Sequence, residues 1–444
     1  MSFPKYENYK DSGVEWLGEV PAHWNVMALR RCLIDHRQGY YSESDYVDSG
    51  VKLLRITDLQ DFGKINFEHC PKVKDCNELK PFLLEESDFV FARTGGAGTF
   101  GLVDKITEPV AYASYLIRFR FQNTVNPKFL SYFFLSSGFR AAVRQNIHGG
   151  VNQNIHAEDI KNQFSTFPLN SEQVVIAEFL DRETAKIDEL VEEQQRLIEL
   201  LKEKRQAVIS HAVTHGLNPH VKLKPSGIEW LGDVPAHWEV KRIKHLSARI
   251  SSGKTPSGGS EVYVYEGVTF LRSQNVYDEG LYLDDVVFIT ETVDEAMASS
   301  RVSAGDILLN ITGASIGRSC LVPQNLGPAN VNQHVCVIRL KDPSKASFVG
   351  WVFKSKIVKD QIDYAQNGAA REGLNFAQIG EIILLLPPVV ERETITAFLE
   401  QQTIQFDTLT AKAQRAIDLL QERRTALISA AVTGKIDVRQ FNNN

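Results

Sequence analysis

The chain of 444 residues has no excess of basic charge, few cysteines and no long apolar run. Its 49 Lys+Arg stand against 55 Asp+Glu, a net charge of −6, which speaks against the basic face expected of a DNA-binding domain. The five cysteines, Cys32, Cys70, Cys76, Cys320 and Cys336, are spread without a disulfide framework and include no CxxC pair; Cys70 and Cys76 lie near His69, but nothing supplies the rest of a metal site. The longest apolar stretch, residues 382–386, runs into Pro387 and Pro388, far short of the roughly 20 residues that cross a bilayer. MSFPKYENYKDSG at the N-terminus has no apolar core of a signal peptide, so a cytoplasmic, reduced protein without membrane attachment is expected. At about 100–200 residues per domain, the length calls for two or three domains.

What the chain does have is a repeat. Residues 12–24 read SGVEWLGEVPAHW and residues 226–238 read SGIEWLGDVPAHW, with 11 of 13 positions identical. Residues 176–214 align with 395–433 without a gap, whereas 25–147 and 239–366 hardly resemble each other. The unit is a divergent module followed by a near-constant segment, written twice. Each near-constant segment carries heptad spacing: Ile176, Leu180, Glu183, Ile187, Leu190, Gln194, Leu197, Leu201 and Lys204 in the first, Ile395, Leu399, Phe406, Leu409, Ala413 and Leu420 in the second. Two helices of about 43 residues, each on the order of 65 Å, would bury these stripes against each other in antiparallel fashion. Glu183, Gln194 and Lys204 would set the register. The modules read as mixed α and β, with strands expected at 52–57, 87–92, 112–121, 268–272, 306–311 and 335–340 and helices at 127–146 and 346–365.

Three motifs imitate catalytic sites. Gly96, Gly98 and Gly101 match a dinucleotide fingerprint, but a strand-like run follows where a helix is required. Gly253-Lys254-Thr255 resembles the end of a phosphate-binding loop, but Ala248 replaces the first glycine and Pro256 spoils the helix. Asp233, Glu239 and Lys241 could pass for a nuclease triplet, yet Glu19, Asn25 and Met27 stand at the matching positions of the first half. His23 and His237 recur without a partnered nucleophile and read as part of a structural lead-in.

The doubled lead-in and the doubled helical segment, ending AVISHAVT and ALISAAVT, resemble the specificity subunit of Type I restriction–modification systems over essentially the whole chain. Thr-Gly-rich loops at 94–98 and 312–317 and Asn332-Gln333-His334 strengthen the likeness. The resemblance implies an α+β protein with two mixed α/β target-recognition domains separated by two long α-helices in an antiparallel coiled coil, related by a pseudo-twofold internal repeat. Its boundaries would be residues 1–168 and 217–388 for the recognition domains, 169–216 and 389–436 for the helices, and 437–444 for a tail. The subunit would be non-catalytic. Its partners would be double-stranded DNA, two methyltransferase subunits and restriction/translocase subunits, with S-adenosylmethionine, ATP and Mg2+ on those partners and no cofactor in this chain. A coiled-coil scaffold with two peptide- or glycan-binding modules, or a self-contained nuclease, are the alternatives from other classes.

Base readout favours Arg, Asn and Gln, while small hydroxyls and glycine loops position phosphates. The first module offers Arg93, Thr94, Gly95, His148, Asn152, Gln153 and Asn154. The second offers Lys254, Thr255, Gln274, Asn275, Thr312, Ser315, Arg318, Asn367 and Arg371, with Arg371 aligned to Asn152 across the repeat. Arg55 and Arg272 sit beside strands, where nearby carboxylates would neutralise them. The two helical segments, 171–213 and 390–432, hold 16 acidic and 11 basic residues, and the remainder holds 39 and 38. The modules are therefore near neutral, and most of the acidity belongs to the spacer.

Overall fold

The apolar run Phe89–Ala92 is wholly buried, and its alternate residues serve two different cores. Phe89 and Phe91 join Phe129, Phe133 and Phe134, whereas Val90 and Ala92 join Leu54 and Tyr112. A strand covered on both faces reads as a continuous apolar run rather than an alternating one. The same division recurs at Ile307–Asn310: Ile307 and Leu309 meet Phe348 and Phe353, and Leu308 meets Leu271 and Val331.

The computed structural model describes residues 3–41, 45–149, 153–366 and 373–441. It divides into two units, residues 1–195 with 415–444 and residues 196–414. In the first, seven strands build two sheets: β1 (Leu33–Gln38), β2 (Val51–Leu54), β3 (Lys72–Val73), β4 (Phe89–Ala92), β5 (Phe100–Leu102), β6 (Val110–Tyr112) and β7 (Leu116–Phe121). One sheet is antiparallel in the order β1-β7-β4-β5. The other, β3-β2-β6, pairs β2 and β6 in parallel, with Lys52 opposite Val110. Helices α1 (Pro127–Leu135) and α2 (Ser137–Gln145) add Phe134 and Phe139 to the antiparallel sheet, the Phe134 ring lying 5.1 Å from Phe89 and 5.2 Å from Phe91.

The long helix α3 (Asn170–His215) follows, and then the second unit repeats the plan. The strands of its two four-stranded sheets are β8 (Ser247–Ser252), β9 (Val268–Leu271), β10 (Val287–Ile289), β11 (Arg301–Val302), β12 (Ile307–Asn310), β13 (Ser319–Leu321), β14 (Ala329–Val331) and β15 (Val335–Leu340). Its sheet β8-β15-β12-β13 matches β1-β7-β4-β5, and the parallel pair β9 and β14 matches β2 and β6. Helices α4 (Ala346–Lys354), α5 (Lys356–Gln366) and the long α6 (Val389–Val432) complete it. Two modules with little sequence likeness thus share one topology.

Three expectations change. The run 112–121 is not one strand: Tyr112 pairs with Leu54 in the smaller sheet, and a turn closed by Leu116 N–H on the Ala113 carbonyl sends β7 into the other. The helices at 127–146 and 346–365 each break in two, at Ser136 and Ser355, whose backbones are extended and whose hydroxyls donate to the preceding helix end. The register residues of the long helices also differ. Glu183 is held by Lys186 of its own helix, while Asp188 pairs with Arg424 at 3.1 Å in the first unit and Arg205 with Asp407 at 3.0 Å in the second.

Taken with the core contacts of the helix ends, each pair shows that the helices run antiparallel within its unit. In the first, the start of α3 (Ile176, Phe179, Leu180) and the end of α6 (Leu427, Ile428, Ala431) enter the module's core. In the second, Ile209, Ala212 and Val213 from the end of α3 meet Ile395 and Leu399 from the start of α6. The helix ends are therefore part of the modules they join. Leu190, Leu197 and Leu409, expected in a continuous seam, are each more than 40% exposed. Residues 437–441 are packed as well: Asp437 N–H donates to the Pro4 carbonyl, and the Phe441 ring lies 5.4 Å from Phe3. Among the described residues no helix is long and apolar enough to cross a membrane.

Candidate nucleic-acid interface

The repeated PAHW element is a clamp on the long helices. The Trp24 indole N–H donates to Glu172 Oε1 at 3.2 Å, Tyr6 O–H donates to the same oxygen at 2.9 Å, and His23 Nε2 lies 2.9 Å from Oε2. In the second unit His237 and Trp238 hold Glu391, at 2.6 and 3.1 Å. Both glutamates stand in the first turn of a long helix, where a carboxylate also complements the helix dipole. The two histidines thus hold a scaffold in place.

Thr94 and Asn154, sixty residues apart, meet in the first module: Thr94 O–H donates to Asn154 Oδ1 at 2.6 Å. Backbone bonds fix the approach, because Ile155 N–H donates to the Arg93 carbonyl and His148 and Asn154 exchange N–H to carbonyl bonds at 2.9 and 2.8 Å. The loop after β4 and the loop after α2 therefore form one surface that carries Arg93, Thr94, Gly95, His148, Gln153 and Asn154. Gly95 has φ +69°, Gly96 +137° and Gly98 +86°, which L side chains adopt only with strain, so this turn depends on its glycines. The fingerprint is accordingly a hairpin between β4 and β5.

The second module gathers its candidates more tightly. Gln274, Thr312, Ser315 and Arg318 line one open groove of about 480 Å³ together with Tyr277 and His334. Arg318 lies over the Tyr277 ring, 4.8 Å from its centroid. Thr312 O–H and His334 Nδ1 are hydrogen-bonded, and Gln333 Nε2 lies 2.8 Å from His334 Nε2. Leu374 N–H donates to the Ile311 carbonyl at 2.9 Å, as Ile155 does to Arg93, so the loop after α5 returns to the Thr-Gly loop by the same bond in both halves.

Other candidates fall elsewhere. Asn275 is buried, and its amide is used up: Oδ1 accepts from Arg272 N–H, and Nδ2 donates to the Tyr282 and Asp285 carbonyls. It shapes a turn and presents nothing to a base. Gln274, by contrast, stays in the groove lining, where it is exposed and bonded to Asp285. Lys254 and Thr255 are exposed beyond the groove's lining, and Gly253 has a steric duty, since a Cβ there would lie 1.8 Å from the Val331 carbonyl oxygen. Gly39 does the same against Ala113, at 2.1 Å, so this glycine belongs to the strand contact and not to a phosphate loop. Arg55 is tied to Asp58, whose hydrogen bond holds the guanidinium above its ordinary pKa, and Arg272 is tied to Asp285. Asn152, Asn367 and Arg371 lie outside the described residues.

Residue pattern alone does not single out Tyr277 and His334 as site residues. His334 stands in the run Asn332-Gln333-His334, but nothing in the pattern links it to Thr312, 22 positions before it. The apparent nuclease triplet is not assembled into a metal site: Lys241 and Glu239 form an exposed pair at 3.0 Å, and no group of three or more His, Cys, Asp or Glu among the described residues could hold a metal ion.

Comparison with known proteins gives a consistent answer. The family model for the Type I restriction modification DNA specificity domain matches residues 49–200 and 235–419. A putative type I restriction enzyme MjaX specificity subunit of Methanocaldococcus jannaschii is 23% identical, covering 99% of each chain. The type I restriction enzyme EcoBI specificity subunit of Escherichia coli is 22% identical over 89% of this chain and 82% of its own. Among solved structures, a chain from a study of complex assembly and conformational transition of the type I R-M system superposes with TM-score 0.68 at 14% identity, covering 93% of this chain and 98% of its own. The HsdS subunit from Thermoanaerobacter tengcongensis gives 0.51 at 16% identity, over 94% and 98%.

Proposed function

The chain belongs to the Type I restriction–modification DNA specificity family, and from that premise we propose that each module reads one half of a bipartite, asymmetric DNA sequence. The observation that carries this reading is the convergence, in each module, of sequence-distant polar residues: Thr94 with Asn154 in the first, Thr312 with Ser315, Arg318 and His334 in the second. Two surfaces built on one topology from different side chains suit two different half-sequences. Direct readout needs such convergence, since discriminating one base requires two or more donors and acceptors at fixed spacing.

As a specificity subunit the chain is non-catalytic, and the enzymatic activities belong to partner subunits. In this proposal the helices α3 and α6 set the interval between half-sites and dock two methyltransferase subunits. Exposed Leu190, Leu197 and Leu409 are apolar surface for such contacts. S-adenosylmethionine would sit on the methyltransferase subunits, and ATP and Mg2+ on the restriction/translocase subunits. Near-neutral modules fit this division: the partners supply grip on phosphates, and this chain supplies selectivity.

Binding of the assembled methyltransferase to duplex DNA over a salt series tests the reading. A steep fall of affinity with salt, with preference for one bipartite sequence, is expected. Salt-insensitive binding without sequence preference would instead mark a scaffold for peptide or glycan ligands.

A further inference from the structure

Among the described arginines of the second module, only Arg249 and Arg318 have no carboxylate partner, and Arg249 donates to the Arg301 carbonyl, whereas Arg318 lines the groove. Arg301 pairs with Asp294 and Arg339 with Asp306, and Arg272 lies 3.6 Å from Asp285. Among the described residues no acidic group lies within ion-pair reach of Arg318, which is exposed in the groove. Its guanidinium lies over the Tyr277 ring, a contact that steadies the fork without using its N–H groups.

The stack is braced from both sides. Tyr277 sits in the hairpin of Val276–Tyr277 and Gly280–Leu281, with the Tyr282 ring 5.4 Å away. Its neighbour Asp278 accepts the backbone N–H of Ser319, the neighbour of Arg318, at 3.0 Å, and Lys359 binds the other carboxylate oxygen. The residue carrying the platform and the residue carrying the fork are therefore tied together one position along. Arg318 N–H also donates to the Ser315 carbonyl, which fixes where the side chain leaves the backbone.

Resting on the DNA-reading assignment above, we propose that Arg318, oriented by the Tyr277 ring, reads a guanine in the half-site of the second module. A planar fork presented edge-on matches the O6 and N7 acceptors of guanine in the major groove. The first module has Thr99 at the position before the matching strand β5, so it lacks this reader. The two modules then read their half-sites with different side chains at this position.

The test is the methylated motif written by the whole complex carrying Arg318→Ala, Arg318→Lys or Tyr277→Leu. The wild-type motif is expected to hold a guanine at the position affected, and Arg318→Ala to relax that single position, with about 10- to 100-fold less discrimination against other bases. Arg318→Lys keeps the charge but loses the planar fork, so it also relaxes the position, and Tyr277→Leu weakens discrimination less. The other half-site stays unchanged. An unaltered motif in Arg318→Lys, or loss of methylation uniform across sites without relaxation, would make Arg318 a phosphate contact and overturn the proposal. A wild-type complex that writes no bipartite motif would instead overturn the family-level reading on which this one rests.

Discussion

Trp24 and Glu172 are joined by an indole N–H to carboxylate bond of 3.2 Å, and Trp238 and Glu391 repeat it at 3.1 Å. The lead-in and the long helix, the two parts of the chain that the repeat preserves, therefore touch each other. Their likeness in the two halves follows from this contact, because the tryptophan fixes where the helix leaves the module.

Removing Glu172 leaves the buried Trp24 N–H and Tyr6 O–H without an acceptor, which costs about 1–3 kcal/mol for each unsatisfied group. Glu172→Ala is expected to lower the denaturant midpoint strongly, and Glu172→Gln, which keeps one acceptor oxygen, less so. Glu391→Ala should cost less than Glu172→Ala, because Glu391 is 27% exposed against 8% and serves two donors instead of three. Equal midpoints for the wild type and Glu172→Ala would refute the clamp.

The two interhelical ion pairs differ in environment. Arg424 is 6% exposed, bonded to Asp188 and covered by the Phe62 ring at 3.6 Å, whereas Arg205 and Asp407 are more open. Asp188→Ala leaves a charge with little access to water, and a loss of about 1–3 kcal/mol is expected; Asp407→Ala should cost below about 1 kcal/mol. Double-mutant cycles measure both couplings. A larger coupling for Arg205 with Asp407 would contradict the assignment of Arg424 as the buried partner.

Thr94→Val removes the hydroxyl that binds Asn154 while keeping the shape of the side chain. Methylation directed by the first half-site is expected to lose selectivity while the second half-site is read as before, and the melting temperature should move little, since one hydrogen bond contributes on the order of 1 kcal/mol. Simultaneous change at both half-sites would contradict independent reading by the modules.

Burial pushes the thiols of Cys32, Cys70, Cys320 and Cys336 up to about 12. At about pH 8 these groups carry almost no thiolate, and the thiolate is the reactive form. Native alkylation read by mass spectrometry is therefore expected to label Cys76, which is half-buried, ahead of the other four. The linkage runs one way: above the ordinary thiol value of 9.0 the unfolded chain releases protons that the folded chain keeps. Stability from these groups is complete below that pH and declines as pH rises toward about 12. Rapid labelling of Cys336 in the folded protein would contradict its burial.

The long helices and the apolar central strands are legible in the sequence because each rests on short-range pattern, and the doubled lead-in because it is repeated, whereas edge strands such as Leu33–Gln38 and Ser247–Ser252 are not. Residues 335–340 form a strand as expected, since both faces are buried and the run is apolar over most of its length. The shared topology of the modules is not legible: it lies in strand order, which needs pairings such as Lys52 with Val110 that no local pattern encodes. The sites are half legible. Residue type nominates Thr94, Asn154, Thr312 and Arg318, but type alone does not separate Arg318, free in a groove, from Asn275, whose amide is consumed by the backbone. Tyr277 escapes notice because a tyrosine in a short hairpin looks like any half-buried aromatic until the arginine above it is placed.

In the function proposed above, this chain selects the DNA sequence that its partners methylate. Genome-wide mapping of N6-methyladenine with and without the gene tests it most directly. Loss of one bipartite, asymmetric motif, with all other methylation retained, is the predicted result. Loss of no bipartite motif in cells whose methyltransferase subunits are present and active would contradict it.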